Sequence, residues 1–268
     1  MNLHFKEASP MKKMTALLLA LCLMASFTAA LAESELPLAG RNLKIALSPD
    51  FMYFETVSET DETGYEGLDI DIIKLLSQKL GFTFEIVPMS FSSLIGSLQT
   101  NDADFVISGM SYTDERAQVV DFSITYCITD VGCVVPVDSQ IASYDDLKNQ
   151  IVACSQGTTY EMLIEAIPGA TLKTFQGQAA VGNAVAEGLD GVVAGLTSIN
   201  GSKKLSNTVL AADGSPLLKY FLLEGEGTAD QYNIAFPKGS ELVELVNGAL
   251  EELQADGTLD TLIKQWLY

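Results

Sequence analysis

Histidine is nearly absent from this sequence of 268 residues. Its single histidine, His4, lies in an amino-terminal segment that we expect to be missing from the mature chain. Ser-His and Cys-His catalysis, and metal binding through histidine, are therefore excluded from the mature chain. Long hydrophobic runs are absent too, since no stretch reaches the roughly 18 consecutive apolar residues typical of a membrane-spanning helix.

Cysteine is also scarce. Cys22 falls within the expected leader, which leaves Cys127, Cys133 and Cys154 in the mature chain. An odd number of cysteines without clustered histidine argues against a disulfide framework and against a zinc site. We expect buried free thiols and neither a metal nor a cofactor, while a disulfide between Cys127 and Cys133 stays open as the alternative.

Basic residues are few: 15 Lys and Arg stand against 35 Asp and Glu, which gives a net charge of −20. So acidic a chain is a poor candidate for binding nucleic acid or an anionic membrane surface. With 48% hydrophobic residues it can still bury a sizeable core. Its length suits one large domain or two small ones.

A secretory signal peptide is predicted within a leader of residues 1–32. Met11-Lys12-Lys13 form the charged start, Thr15 to Ala25 a short apolar core, and Ala30-Leu31-Ala32 a cleavage site of small residues. We therefore expect cleavage after Ala32 and export to the periplasm or the cell exterior. Whether the product is released or held at the cell surface stays open.

The pattern of apolar residues alternates between strand and helix. The first series has strands at 42–47, 82–87 and 104–107 with helices at 68–80 and 91–99. After an extended run at 128–137, a second series has strands at 151–154, 171–175, 191–194 and 219–224 with helices at 160–167 and 179–187. This order predicts an α/β fold with a largely parallel sheet. Two amphipathic helices separated at Asp256-Gly257 end the chain.

The segment from Ser108 to Arg116 carries the first functional signal. Thr113 is a suitable N-cap, and the two acids after it suit the first turn of a helix. Arg116 opposes the helix dipole there, so its guanidinium and the backbone N–H groups of the turn are predicted to hold an anion. Gly109 would let the backbone approach that anion closely. The alternative is an exposed Arg116 paired with Asp121 or a neighbouring acid.

These and other segments together resemble the polar amino-acid-binding family among the extracellular solute-binding proteins of ABC transporters. The segments are Gly67-Leu68-Asp69-Ile70-Asp71, Ser111 to Arg116, Val120-Asp121-Phe122-Ser123, Asp146-Leu147-Lys148, Gln156-Gly157-Thr158-Thr159, Ala235-Phe236-Pro237-Lys238-Gly239 and Lys264-Gln265-Trp266. Each segment is weak alone, but their order and spacing are specific, and they cover almost the whole mature chain.

The resemblance implies a two-lobed periplasmic-binding-protein-like type II fold with two crossover hinge strands. Lobe one would comprise residues 41–131 and 237–268, and lobe two residues 137–231. The hinge would lie at 129–137 and 231–236. A ligand would then bind in the cleft that the carboxyl ends of the strands face.

The resemblance also implies a binding site for a carboxylate. Arg116 would grip the ligand carboxylate beside Ser111 and Gly109, and Thr158 and Thr159 would close on it from lobe two. Aromatic side chains would flank the ligand, and by position these are Phe51 and Phe91. We expect the neighbouring Tyr53 and Phe54 to be core or rim residues.

One position departs from the family pattern. The family usually has an Asp just after the second lobe's buried strand, where it pairs with the ligand ammonium, and this sequence has Gly195. A buried ammonium without a counter-charge is costly. Either another acid reaches the amine (Asp50, Glu161 or Glu55) or the ligand is a carboxylate that lacks an amine.

We expect a monomeric capture protein that closes on an amino acid and delivers it to an ABC transporter permease. A binding protein for another small carboxylate is the alternative. A cyclohexadienyl dehydratase-like enzyme of the same fold would need an acid in the cleft as proton donor. The stretch Gly195-Leu196-Thr197-Ser198 offers no acid, so we expect no catalysis. A ligand-sensing domain would need a separate membrane partner.

Overall fold

The structure is a computed structural model, and it describes residues 36–225 and 228–268. The expected leader, residues 1–32 with its cleavage site, lies outside the described residues. Strands and helices alternate along the described chain and confirm the predicted α/β class.

The strands are β1 (Asn42–Leu47), β2 (Asp50–Phe51), β3 (Glu55–Val57), β4 (Tyr65–Glu66), β5 (Thr83–Pro88), β6 (Phe105–Ser111), β7 (Val120–Pro136), β8 (Ile151–Ser155), β9 (Thr171–Phe175), β10 (Ala194–Ser198), β11 (Leu218–Leu222) and β12 (Ala229–Pro237). The helices are α1 (Leu68–Leu80), α2 (Leu94–Gln99), α3 (Asp114–Ala117), α4 (Tyr160–Ala166), α5 (Gln178–Glu187), α6 (Ile199–Thr208), α7 (Leu242–Ala255) and α8 (Thr258–Leu267).

Helix α1 shows how local sequence sets these bounds. Its buried face carries Leu68, Ile72 and Leu76, which recur at the spacing of an amphipathic helix. Gly81 ends the helix with a φ of 86°, a left-handed conformation that glycine adopts without strain, and its N–H donates to the carbonyl of Ser77.

Within the described residues, nine strands form one mixed sheet in the order β5-β1-β6-β12-β7-β10-β8-β9, with β11 paired to β7. Strand β1 pairs in parallel with β5 and β6, and β8 pairs in parallel with β9 and β10. Between these two parallel blocks lie the antiparallel strands β12 and β7, which are 9 and 17 residues long. The two blocks are therefore joined through two long central strands.

Each parallel block has its own apolar core. We call lobe one the block of β1, β5 and β6 with α1–α3, α7 and α8, and lobe two the block of β8–β11 with α4–α6. Residues such as Ile45, Ile73 and Phe105 fill the core of lobe one, while Val152, Ile164 and Leu196 fill that of lobe two. The predicted hinge segments, 129–137 and 231–236, fall on β7 and β12. Hinge motion there, and the lobe limits given above, stay predictions.

Two strand predictions need correction. Residues 108–111, expected to be a turn, continue β6 through Ser111. The strand expected at 191–194 runs instead from Ala194 to Ser198, because Asp190 and Gly191 take positive φ values of 54° and 81° in a short 3₁₀ turn. The carboxyl end of this strand is therefore Ser198, and Gly195 lies within it.

Cys127, Cys133 and Cys154 are buried free thiols, as predicted. Cys127 and Cys133 both lie on β7, six residues apart in an extended chain. That separation corresponds to roughly 20 Å, far beyond the Cα distance of at most about 7 Å that a disulfide allows. Burial raises the pKa of the thiol of Cys154 to about 12, so this side chain acts as a small apolar residue.

Gly132 provides a test of how α6 packs on β7. A Cβ at this position would lie 2.9 Å from the Cα of Ile199 and would also collide with the side chain of Ser202. We expect Gly132→Ala to lower the free energy of unfolding by about 1–3 kcal/mol, because the helix must move away from the strand. Urea denaturation followed by circular dichroism measures this change.

Gly248→Ala is the matched control, since Gly248 is exposed in the interior of α7 and a Cβ there meets no atom within 4 Å. This substitution should leave stability unchanged or raise it slightly, because alanine favours a helix over glycine. Equal effects at both positions would contradict the packing argument.

Candidate functional site

A pocket lies between the lobes, at the carboxyl ends of the parallel strands. It holds about 470 Å³ of empty space, part of it open to solvent. All seven residues that the sequence predicts for ligand binding line it: Phe51, Phe91, Gly109, Ser111, Arg116, Thr158 and Thr159. Segments more than a hundred residues apart in sequence are thus brought to one place.

Arg116 lies on the one-turn helix α3. The hydroxyl of Thr113 accepts a hydrogen bond of 3.1 Å from the backbone N–H of Arg116 and caps the helix, as predicted. The side chain donates from Nη1 to the carbonyl of Ser111 at 2.6 Å and from Nη2 to the carbonyl of Gly157 at 2.7 Å. The guanidinium therefore links lobe one to lobe two through backbone oxygens.

The alternative partner of Arg116 is engaged elsewhere. Asp121 pairs with Lys238 at 2.7 Å and accepts from the backbone of Gly239 at 2.6 Å. Arg116 instead packs its guanidinium carbon 5.6 Å from the centre of the Phe91 ring, a favourable cation–π distance. Burial lowers the pKa of Arg116, and the charge of Asp230 opposes that effect; arginine keeps its proton in proteins.

The lobe two loop after β8 places its two threonines differently. Gly157 has a φ of 82° and donates its N–H to Glu161 at 2.6 Å. The hydroxyl of Thr158 donates within the loop to Ser155 at 2.7 Å, whereas that of Thr159 donates across the pocket to Asp230 at 3.3 Å. Neither threonine caps α4 through its side chain.

Phe51 forms an aromatic cluster against the pocket. Its ring stacks on that of Phe54, which is fully buried, at 4.3 Å and meets Tyr232 edge-on at 5.7 Å. A Cβ on Gly109 would collide with this ring. The N–H of Gly109 points away from the pocket and donates to Asp69 at 3.0 Å and to Tyr126 at 3.2 Å. The glycine thus makes room for Phe51, a role the sequence did not indicate.

Two carboxyl groups lie beneath the pocket floor. Glu55 and Asp69 are fully buried, and the hydroxyl of Ser108 donates to Glu55. Burial raises the pKa of Asp69 to about 7. The pKa of Glu55 rises well above its usual value, first by burial and then by repulsion from Asp69. Burial and their mutual repulsion therefore favour protonation of this pair of carboxyl groups.

The three acids considered for a ligand ammonium occupy different places. Asp50 lines the pocket, where it accepts from the Ser48 hydroxyl at 2.8 Å and from the backbone of Gln178 at the start of α5. Burial raises its pKa. Glu161 does not line the pocket. Glu55 is sealed beneath the floor.

Asp230 is a pocket residue that the sequence analysis missed. It lies on β12, is only 7% exposed, and accepts from the Ser111 hydroxyl at 3.1 Å. Burial raises its pKa, while hydrogen bonds and the charge of Arg116 act in the opposite direction. The one available signal was its position immediately before the predicted hinge segment.

The region around Gly195 contributes no acid to the pocket. A Cβ on Gly195 would lie 2.8 Å from Val181 and 3.1 Å from Val134, so no larger residue fits without rearrangement. At the end of the same strand, the Ser198 hydroxyl accepts from Gly201 at 3.0 Å and caps α6. Neither Gly195 nor the observed strand end at Ser198 therefore supplies the acid that the family pattern has here.

In the described part of the chain, no three His, Cys, Asp or Glu side chains are grouped so that they could hold a metal ion. Across the same residues, none of the helices has the length and apolar character needed to cross a bilayer.

A family profile and a curated relative each match most of this chain. The profile described as "Bacterial extracellular solute-binding proteins, family 3" matches residues 43–268. The arginine-binding extracellular protein ArtP of Bacillus subtilis (strain 168) is 32% identical over 262 residues, covering 96% of this chain and 98% of the relative.

Solved structures agree with this match. The crystal structure of the substrate binding protein of an amino acid ABC transporter has a TM-score of 0.75 at 30% identity, covering 84% of this chain and 98% of that one. An ancestral amino acid-binding protein described as a precursor of cyclohexadienyl dehydratase has a TM-score of 0.73 at 30% identity, covering 85% of this chain and 96% of that one. These likenesses confirm the expected type II binding-protein fold.

The buried pair Glu55–Asp69 predicts a pH-dependent stability. Folded Asp69 keeps a proton that the unfolded chain releases between the ordinary carboxyl pKa of 3.8 and the folded value of about 7, and burial raises the pKa of Glu55 as well. Stability falls as pH rises through this window, by up to about 1.4 kcal/mol per pH unit for each retained proton. Glu55→Gln removes the part of this pH dependence that comes from Glu55, while Asp69 stays buried and keeps its own part.

Urea denaturation of wild type and Glu55→Gln at several pH values checks this prediction. The difference in unfolding free energy, wild type minus variant, should decline as pH rises from about 4 to about 7. Glu59→Gln, which removes an exposed carboxyl from the same part of the chain, controls for the loss of one acidic residue. Parallel profiles for wild type and Glu55→Gln would refute a raised pKa for Glu55.

Proposed function

Because the chain belongs to the bacterial extracellular solute-binding proteins, family 3, we propose that it captures an amino acid between its lobes through the ligand carboxylate. The observation that carries this proposal is the half-buried guanidinium of Arg116 at the pocket, held by one backbone oxygen from each lobe. A guanidinium has five N–H donors, so donors remain for a ligand carboxylate. The relatives named above as amino acid binders support the same ligand class.

The proposed site uses the seven predicted residues in three roles. Arg116 binds the carboxylate, with Ser111 and Gly109 shaping the lobe one side. Thr158 and Thr159 bring the loop of lobe two to the same end of the ligand. Phe51 and Phe91 provide the aromatic walls. A small carboxylate without an amine is the second candidate ligand, because the strand end at Ser198 carries no acid.

Lobe closure is the proposed mechanism of capture. A ligand that contacts both lobes binds the closed form better than the open form, and this difference in affinity shifts the population toward closure. Contacts such as Arg116 to Gly157 and Asp230 to Thr159 already join the two lobes. The two lobes would close around the ligand, with β7 and β12 acting as the hinge.

We place the protein outside the cytoplasm as a monomer that hands its solute to an ABC transporter permease in the membrane. The predicted signal peptide with cleavage after Ala32, the family's extracellular character and the transporter named for one structural relative support this placement. The strongly acidic chain supports the view that neither nucleic acid nor an anionic membrane surface is its partner.

We further propose that the protein is not an enzyme. The stretch Gly195-Leu196-Thr197-Ser198 offers no acid, whereas Asp50 and Asp230 from other elements both line the pocket. Both carboxyl groups already accept hydrogen bonds, Asp50 from Ser48 and Asp230 from Ser111. These engaged acids suit ligand positioning rather than proton donation, and the relatives named as binding proteins agree.

Thermal-shift measurements with the standard L-amino acids, dicarboxylates and cyclic carboxylates test the ligand class, because ligand binding raises the melting temperature by mass action. At least one L-amino acid should stabilise wild type. Arg116→Ala should weaken that binding by about 30-fold or more, as expected when one partner of a buried charge pair is removed. Isothermal titration calorimetry measures the affinity.

Arg41→Ala is the matched control, since Arg41 is the other arginine of the chain and pairs at the surface with Glu241 at 2.6 Å. It should bind like wild type. Unchanged affinity in a folded Arg116→Ala variant would contradict the site, and stabilisation by cyclic carboxylates alone would contradict the amino acid assignment.

Incubation with each stabilising compound tests the absence of catalysis. We expect the ¹H NMR spectrum of every bound compound to stay unchanged after long incubation with equimolar protein, because hydrogen bonds from Ser48 and Ser111 hold the two pocket acids in place. A cyclohexadienyl carboxylate serves as the most demanding substrate. Product that forms with wild type but not with Asp230→Asn would identify an enzyme.

A further inference from the structure

The proposed amino acid ligand brings a positive charge into the closed pocket, and the inference made here rests on that proposed function. The end of β10 offers only Thr197 and Ser198, which are neutral. An ammonium enclosed with neutral partners alone would lose most of its hydration without a compensating charge. The pocket must therefore supply a carboxylate from another element.

Asp230 meets the geometric requirements for that carboxylate. It lies on β12, paired with Thr129 of β7, so it sits on the segment that joins the two lobes. Its Oδ1 accepts from Ser111 of lobe one at 3.1 Å and from Thr159 of lobe two at 3.3 Å. Its Oδ2 is buried and makes no hydrogen bond of ordinary length among the described residues, and the nearby hydroxyl of Tyr160 lowers the pKa of this carboxyl.

Ser111 sets the position of this carboxylate relative to Arg116. The Ser111 carbonyl accepts from the guanidinium, while its hydroxyl donates to Asp230. A cation and an anion are thus anchored to the same residue at the pocket wall. An α-amino acid carries its carboxylate and ammonium on one carbon, so it requires two opposite charges at such close range.

We propose that Asp230 binds the α-ammonium group of the ligand through its free Oδ2 atom, while Arg116 binds the α-carboxylate. The hinge carboxylate takes the place of the acid that is missing after β10. Asp230 is then a specificity-determining residue that selects amino acids over the corresponding plain carboxylic acids.

Gln178 supplies a second acceptor near the same place. It begins α5, is 6% exposed, lines the pocket, and its Oε1 has no partner among the residues that the structure describes. Two residues that line one pocket, each with an unpartnered oxygen, suit a ligand group with several N–H donors. Asp50 is less suited, because it accepts from Ser48 and from the backbone at the start of α5.

Paired probes that differ only in the α-ammonium test the proposal. L-Arginine is compared with 5-guanidinopentanoic acid, L-glutamine with 4-carbamoylbutanoic acid, and L-leucine with 4-methylpentanoic acid. Calorimetry is performed on wild type, Asp230→Asn and the control Asp130→Asn. Asp130 is exposed on β7 and pairs with Ala229, next to Asp230 on the same ladder.

For the amino acid that binds best, wild type and Asp130→Asn should prefer it to its partner by at least about 30-fold. In Asp230→Asn this preference should collapse to a few-fold, with the affinity for the plain acid little changed. Equal weakening of both probes would show that Asp230 only supports the fold, and unchanged preference would exclude it from the ammonium site. Either result overturns the proposal.

The wild-type measurements separate this inference from the proposed function. Equal binding of an amino acid and its partner would overturn the ammonium site and leave carboxylate capture standing. Failure of every amino acid to bind would overturn the proposed function and the inference with it. Should Asp230→Asn fail to fold, Asp230→Ser removes the same charge with a smaller side chain. The paired probes are then compared on that variant, with the same outcomes for or against the ammonium site.

Discussion

A half-buried guanidinium needs acceptors in place of the water it has lost, and in this protein those acceptors come from both lobes. Arg116 donates to the carbonyl of Ser111 on one side of the cleft and to that of Gly157 on the other. The guanidinium therefore has both of its backbone acceptors only when the two lobes lie together. The loop of lobe two needs Gly157 for its conformation, with a φ of 82°, and the cap by Thr113 fixes the backbone from which the arginine extends.

The floor of the pocket has a different electrostatic character. Glu55 and Asp69 are fully buried without a basic partner among their hydrogen bonds, and they hold the strand segment of Ser108 and Gly109 through a hydroxyl and an N–H. Protonation lets this pair stay buried, since two full charges there would be prohibitively costly. The same strand segment carries the pocket surface on its other side, so the acids beneath it determine where Gly109 and Phe51 lie.

Much of this arrangement could be predicted from sequence. Apolar spacing placed β1 and β9 at their observed limits, and the Thr113 cap and the cluster of seven pocket residues followed from local pattern and family resemblance. The shift of β10 was not predictable, because Asp190 adopts a positive φ that is uncommon outside glycine and that no local pattern marks in advance. Asp230 was missed because its role depends on hydroxyl groups from residues 111 and 159, which only the assembled fold brings to it.

The charges at the pocket also bear on the choice between the two ligand classes. The positive charge of Arg116 helps to keep the buried Asp230 ionised. A plain carboxylate that bound to Arg116 would neutralise this cation and leave Asp230 with hydroxyl donors alone, which is unfavourable for a buried anion. An α-amino acid brings an ammonium together with its carboxylate, so each buried charge gains a partner at the same moment. The arrangement therefore favours a zwitterion over an anion, even though the acid expected after β10 is missing.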